Sequence, residues 1–163
     1  HLALISTWKK QPEPDMKQAF MELVDVFAFA MSKLNEYGSV DFELGNKPER
    51  TLKVELRWII KEMFFGLITE GSVREFYAIR NISNLFFGRG IEDVYYYYMG
   101  KQTLTRFRQT NGYKDGSYIK MWGGREDNEY LTDALESGVE INELFDHLNS
   151  VYNRVVIAKS EVE

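Results

Sequence analysis

A chain of 163 residues, 44% apolar and 15% aromatic, carries enough buried-type side chains for one domain with a sizeable core, so a globular fold is expected and disorder is not. Its formal charge of −5 argues against general nucleic-acid binding and leaves room only for a local basic site. The lack of cysteine removes disulfides and thiolate metal sites and fits a reducing compartment such as the cytoplasm. No apolar run reaches transmembrane length, the start does not read as a signal peptide, and no membrane partner is expected.

The sequence begins at His1 rather than at methionine, which implies processing or a missing natural beginning. Residues His1–Lys10 read as the tail of a helix ending in Trp8-Lys9-Lys10, with Leu2, Leu4, Ile5 and Trp8 as its apolar side. Pro12 and Pro14 break the chain, because neither supplies a backbone N–H and each restricts its predecessor. Asp15 is placed to cap the next helix, which is predicted to run to about Leu34. Phe20, Leu23, Val24, Phe27, Met31 and Leu34 form its core-facing stripe. Glu22 and Asp25 sit three apart in this apolar stretch, so their carboxylates project about one turn apart. Two readings are open. The pair borders the core as a rim, or its burial is compensated by a divalent cation such as Mg²⁺, for which carboxylates are hard ligands.

Asn35–Arg50 is turn-rich, with Gly38, Gly45-Asn46 and Pro48, and reads as a connection. A helix is predicted over Thr51–Thr69 and ends at Gly71. Ser72-Val73-Arg74-Glu75 is a capping-box pattern opening a helix to about Phe87, which Gly88-Arg89-Gly90 stops. These two helices carry packing residues and no evident chemistry. A fourth long helix is predicted from Ile91 to Thr110, with Val94, Lys101, Thr105 and Arg108 roughly on one side. Its four consecutive tyrosines, Tyr95 to Tyr98, face different ways and suit packing better than a stacking platform.

Lys101–Asn128 carries the chemistry. It is locally basic before its Glu126-Asp127-Asn128 end, and its glycines permit turns and close approach of a ligand to the backbone. Lys101 and Arg108 lie two turns apart on one helix face, while Lys114, Lys120 and Arg125 sit in or beside a loop. Such groups suit a polyphosphate, and the competing reading is an ordinary solvated loop. Tyr113, Tyr118 and Trp122 serve either to stack on a base or to pack the loop down. No Walker A loop, HExxH, GxGxxG or GxSxG occurs, and His147 reads as a boundary residue on an apolar-periodic helix. Two last helices are predicted at Glu126–Ser137 and Glu140–Ala158, separated by Gly138.

These motifs resemble a known family. Glu22-Leu23-Val24-Asp25 followed by an apolar helix resembles the second carboxylate motif, ExxD, of the all-α NTP pyrophosphohydrolases, the superfamily of MazG and the dimeric dUTPases. Arg108-Gln109, Gly112-Tyr113-Lys114-Asp115-Gly116-Ser117-Tyr118 and Lys120-Met121-Trp122-Gly123-Gly124-Arg125-Glu126-Asp127-Asn128 are similar to the C-terminal motifs of dimeric dUTPases, and phage enzymes acting on dCTP and dUTP share part of the pattern. Trp8-Lys9-Lys10 resembles a segment just ahead of the second carboxylate motif. The resemblance implies an all-α single domain over residues 1–163 with a variable middle at 35–90. It implies a homodimer, Mg²⁺ as cofactor, and hydrolysis of a deoxynucleoside triphosphate, dUTP, to dUMP and pyrophosphate. By position, Glu22 and Asp25 would be the catalytic metal ligands. Lys101, Arg108, Lys114, Lys120 and Arg125 would bind phosphates, Tyr113 and Asn128 would help close the loop, and Trp8 would border the base pocket.

Three departures stand beside the match. The first carboxylate motif, ExxE, should precede Trp8 and has no residues here. Glu126–Glu129 and Glu140–Glu143 have its spacing but follow the second motif, so they are rejected as substitutes. Gln102 and Thr105 stand where related sequences tend to have asparagines, which touches sugar or metal contacts. Ala28 replaces a bulkier or histidine side chain, with a packing change as the consequence. The alternatives are a dCTPase or broader MazG-like enzyme, an inactive nucleotide-binding protein on the same helices and, more distantly, an RNA-binding module built on the basic loop, which the acidic charge opposes.

Overall fold

Asp15 opens the first helix as a capping residue should. Its Oδ1 accepts the backbone N–H of Gln18 at 3.0 Å and so satisfies one of the donors that a helix start leaves over. The computed structural model describes residues 15–37 and 74–157. Trp8 and the helix tail at His1–Lys10, the helix predicted over Thr51–Thr69, the capping box at Ser72 and most of the connection after Tyr37 lie outside the described residues. The described part is all-α apart from one short hairpin. It comprises α1 (Met16–Tyr37), α2 (Arg74–Ile82), α3 (Ile91–Thr110), strands β1 (Met121–Trp122) and β2 (Arg125–Glu126), α4 (Asp127–Glu136) and α5 (Ile141–Tyr152). None of the described helices is long and apolar enough to cross a membrane.

The chain divides into two compact units, the first running to Tyr95 and the second starting at Tyr96. In the first, α1 runs three residues beyond the predicted Leu34, to Tyr37. Phe20, Leu23, Val24 and Phe27 of its stripe are buried together with Ala19 and Ala30. Phe76, Ile79 and Ile82 of α2 and Val94 at the start of α3 are buried in the same unit. Ring contacts join the same elements: Phe20 packs edge-on against Phe87 at 5.2 Å, and Phe27 packs edge-on against Phe76 at 5.6 Å. The helix predicted to reach Phe87 does so in two parts. The α-helical ladder ends at Ile82, a π-helical turn covers Ser83–Phe87, and Gly88 closes it with a left-handed φ of 62°.

The second unit is built around Phe107, which is fully buried on α3. Tyr118, Trp122, Phe145 and Tyr152 place their rings 5.5–6.2 Å from its centroid. Leu131, Ala134 and Leu135 of α4 and Leu144, Leu148 and Val151 of α5 complete this core. The four tyrosines do face different ways. Tyr95 reaches Phe27, Tyr97 is buried, and the Tyr96 hydroxyl donates to the Val139 carbonyl at 2.7 Å. Helices α4 and α5 match their predicted spans to within a residue at their starts. The α-helical part of α5 gives way at Tyr152 to a second π-helical turn, Asn153–Ile157.

Candidate functional site

Glu22 and Asp25 project from α1 as the spacing requires, and both are half-buried beside the buried Leu23 and Val24. Glu22 Oε1 accepts Gln18 Nε2 at 2.9 Å, so its orientation is set from one turn earlier. The pair offers hard carboxylate oxygens of the kind that suits Mg²⁺. Among the described residues no three acidic or histidine side chains gather into a group able to hold a metal ion.

The remaining described candidates belong to the second unit, and the end of α3 organises them. Helix α3 stops at Thr110, and Gly112 follows with φ of 90°. The Tyr113 N–H donates back to the Arg108 carbonyl at 2.9 Å, the six-to-one bond that closes a helix through a left-handed glycine. A side chain at Gly112 would collide with the Ser117 hydroxyl, so the turn needs this glycine twice over. Beyond it, Ser117 donates its hydroxyl at 2.6 Å and its amide at 3.0 Å to Asp115 Oδ1. Those two bonds hold the Asp115 carboxyl below its ordinary range. The loop then folds into a hairpin that the sequence reading did not include. Trp122 pairs with Arg125 and Met121 with Glu126, across Gly123 and Gly124 at φ of 58° and 91°. Two consecutive positive φ values are those of a type I′ turn, which the Gly-Gly pair permits. The fully buried Trp122 pins the hairpin down, its Nε1–H donating to the Ile119 carbonyl at 2.9 Å.

The phosphate-binding candidates are placed differently from one another. Lys101 is half-buried on α3, seven residues before Arg108. Arg108 carries the tightest polar network of the unit. Its Nε donates to Asp127 Oδ2 at 2.7 Å, and its Nη2 donates to Asp127 Oδ1 at 2.8 Å and Asn128 Oδ1 at 3.3 Å. The Tyr118 hydroxyl donates to the same Asp127 Oδ2 at 2.7 Å. Burial works against the Arg108 charge, but the hydrogen bonds and charge of Asp127, with Tyr118, together outweigh it and raise the guanidinium above its ordinary value. The Tyr118 phenol is pushed well up, first by burial and then by its bond to the Asp127 carboxylate.

Lys120 is exposed and forms an ion pair with Glu126 at 3.0 Å. Arg125 is exposed and pairs with Glu129 at 3.2 Å and Asp133 at 2.7 Å, contacts that raise its guanidinium, Asp133 foremost. Lys114 is exposed in the loop with no ion-pair partner among the described residues. Tyr113 is 58% exposed, and its ring lies 6.2 Å from that of Tyr118. The structure therefore brings Arg108, Asn128 and the Tyr113–Tyr118 ring pair together, and it sets Lys114, Lys120 and Arg125 along the exposed loop and hairpin. Two features of this network, the Asp127 carboxylate and the Tyr118 hydroxyl, go beyond what the sequence pattern shows. Asp127 is a single acid within Glu126-Asp127-Asn128, and a partner nineteen residues earlier across a glycine-rich loop leaves no periodic signal. Tyr118 was read for stacking or packing; its ring does pack, stacked on Tyr152 at 5.7 Å, while its hydroxyl serves the carboxylate.

The family model described as dUTPase matches residues 6–113, about two thirds of the sequence, and the chain belongs to that family. Membership supports a dUTP diphosphatase activity and makes the protein a nucleotide pyrophosphohydrolase. The matched span includes Trp8, Glu22, Asp25, Lys101, Arg108 and Tyr113 and stops before Lys114–Asn128. No curated protein matches the chain.

Proposed function

We propose, with membership of the dUTPase family as premise, that this chain hydrolyses dUTP to dUMP and pyrophosphate with Mg²⁺ as cofactor, as a homodimer in the cytoplasm. The observation that carries the reading is the family match across Glu22-Leu23-Val24-Asp25, a pair of half-buried carboxylates one turn apart on an apolar helix. In this reading Glu22 and Asp25 hold the cation. When bound, it supplies a Lewis acid that polarises phosphoryl oxygens and offsets their charge. One of the two carboxylates takes the proton of the water that attacks phosphorus, and the anhydride joining dUMP to pyrophosphate breaks. Lys101, Arg108, Lys114, Lys120 and Arg125 bind the phosphates and neutralise the charge that develops on the leaving pyrophosphate. Tyr113 and Asn128 close the loop over the nucleotide, and Trp8 borders the base. The ion pairs of Lys120 and Arg125 are solvent-exposed and of the kind worth little, so a polyphosphate competes with them at small cost.

Pyrophosphate release from dUTP, dCTP, dTTP and dATP, measured on the complete natural protein, tests this. Preference for dUTP, loss of turnover with EDTA and its return with Mg²⁺ are expected. Glu22→Gln and Asp25→Asn are expected to lower kcat by about 100-fold or more. Normal turnover in both variants would remove them from the metal and catalytic roles. Gln102 and Thr105, standing where related sequences tend to have asparagines, bear on sugar or metal contacts, and the four-nucleotide panel decides the exact substrate.

A further inference from the structure

Asp127 is fully buried, and none of the roles above uses it. Its two oxygens are committed to Arg108 Nε, Arg108 Nη2 and the Tyr118 hydroxyl, all within 2.8 Å. Arg108 is thus gripped along one edge of its guanidinium. The opposite nitrogen, Nη1, has no hydrogen-bond partner among the described residues. Nor is it sealed from solvent, since among those residues Arg80 Nε is the buried side-chain polar atom without a partner. The Arg108 side chain is 21% exposed, in keeping with one edge held and one presented.

We propose that Asp127 is a positioning residue: by binding the Nε–Nη2 edge of Arg108, with Tyr118 fixing the carboxylate in turn, it aims Nη1 at a phosphate of the bound nucleotide. This rests on the reading of Arg108 as a phosphate ligand. A planar guanidinium on a flexible stem recognises phosphate through a defined edge, so fixing its plane decides which hydrogen bonds it can offer. Holding the loop in place does not require a buried charge pair, because apolar groups of similar volume do that as well. The loop has other anchors too: Trp122 Nε1 on the Ile119 carbonyl and the Tyr130 hydroxyl on the Trp122 carbonyl, both at 2.9 Å. What the carboxylate adds is orientation.

The test is Asp127→Asn, which keeps the shape and removes the charge, in the complete protein and also combined with Arg108→Lys. Three quantities are read: kcat and KM for dUTP, Kd for a non-hydrolysable dUTP analogue, and the Arg108 Nε–H resonance in the ligand-free protein. Positioning predicts a fall in kcat/KM and a weakening of analogue binding of roughly 10- to 100-fold, loss of the protected Nε–H signal, and no further loss when Asp127→Asn is added to Arg108→Lys. Kinetics and Kd within about twofold of wild type in a folded Asp127→Asn protein, or losses that multiply in the double variant, would overturn it. If Asp127→Asn does not fold, Tyr118→Phe decides. A smaller loss that disappears in the Arg108→Lys background supports the proposal, and unchanged binding and kinetics reject it. A wild-type protein that binds the analogue but releases no pyrophosphate would refute the hydrolase reading, while the Kd comparison would still decide the role of Asp127.

Discussion

Tyr118 makes the protein's stability depend on alkaline pH. In the folded chain its phenol is half-buried and donates to Asp127, and the neutral form is favoured well beyond the ordinary value of 10.0. The unfolded chain therefore sheds this proton first as pH rises. The stabilisation is complete below the ordinary tyrosine range and is lost progressively above it. Tyr118→Phe is expected to cost about 1 kcal/mol near pH 8, at the low end for a bond to a charged acceptor because solvent screens a half-buried phenol. Between pH 9 and 11 the gap between wild type and variant should narrow, with a slope of at most about 1.4 kcal/mol per pH unit. Denaturant unfolding of both proteins across that range checks it, and parallel curves would contradict the linkage. At this scale the sequence was legible where spacing encodes geometry. Glu22 and Asp25 stand one turn apart on α1, and Asp15 caps it, as their positions imply. It was silent where a side chain's partner lies across a loop, as with Arg108 and Asp127.

The helices were readable because their apolar stripes and punctuation agree. Helix α3 begins and ends where its sequence pattern places it, and glycines follow α2, α3 and α4. The π-helical turns at Ser83–Phe87 and Asn153–Ile157 were not readable, since a single wider turn shifts the stripe by too little to register in composition. The hairpin escaped for a similar reason, because two-residue strands are too short to show alternation. Its turn nonetheless makes a firm prediction. An added Cβ at Gly123 would sit 2.8 Å from Val155 Cγ1, whereas one at Gly124 would meet nothing within 4 Å. Both positions have left-handed φ, so alanine strains the backbone at each by about 1 kcal/mol. Gly123→Ala should cost a further ~1 kcal/mol for the overlap. Thermal melting should rank wild type above Gly124→Ala and Gly124→Ala above Gly123→Ala, and equal melting of the two variants would show that Val155 yields freely.

Over the whole molecule, the family match covers residues 6–113 and so takes in parts of both compact units, joined through α3. The proposed homodimer predicts a particle of about twice the 19.1 kDa chain in sedimentation equilibrium at micromolar concentration, and a monomer mass would remove that part of the reading. The all-α architecture was legible because nearly every described segment carries a helical period, and the family because its motifs are short and local. The segment that follows α3 has a last consequence, for the thermodynamics of association. From Gly112 to Asp127 its backbone is tied at Tyr113, Ser117, Tyr118 and Ile119, and its side chains at Tyr118 and Trp122, all by bonds within the chain itself. Ordering a loose segment of such length costs about 1–2 kcal/mol per residue. Here that entropy is surrendered when the protein folds. Under the proposed role of this loop in binding phosphates, an incoming nucleotide would meet no such penalty, and its binding heat should report contacts made rather than chain immobilised.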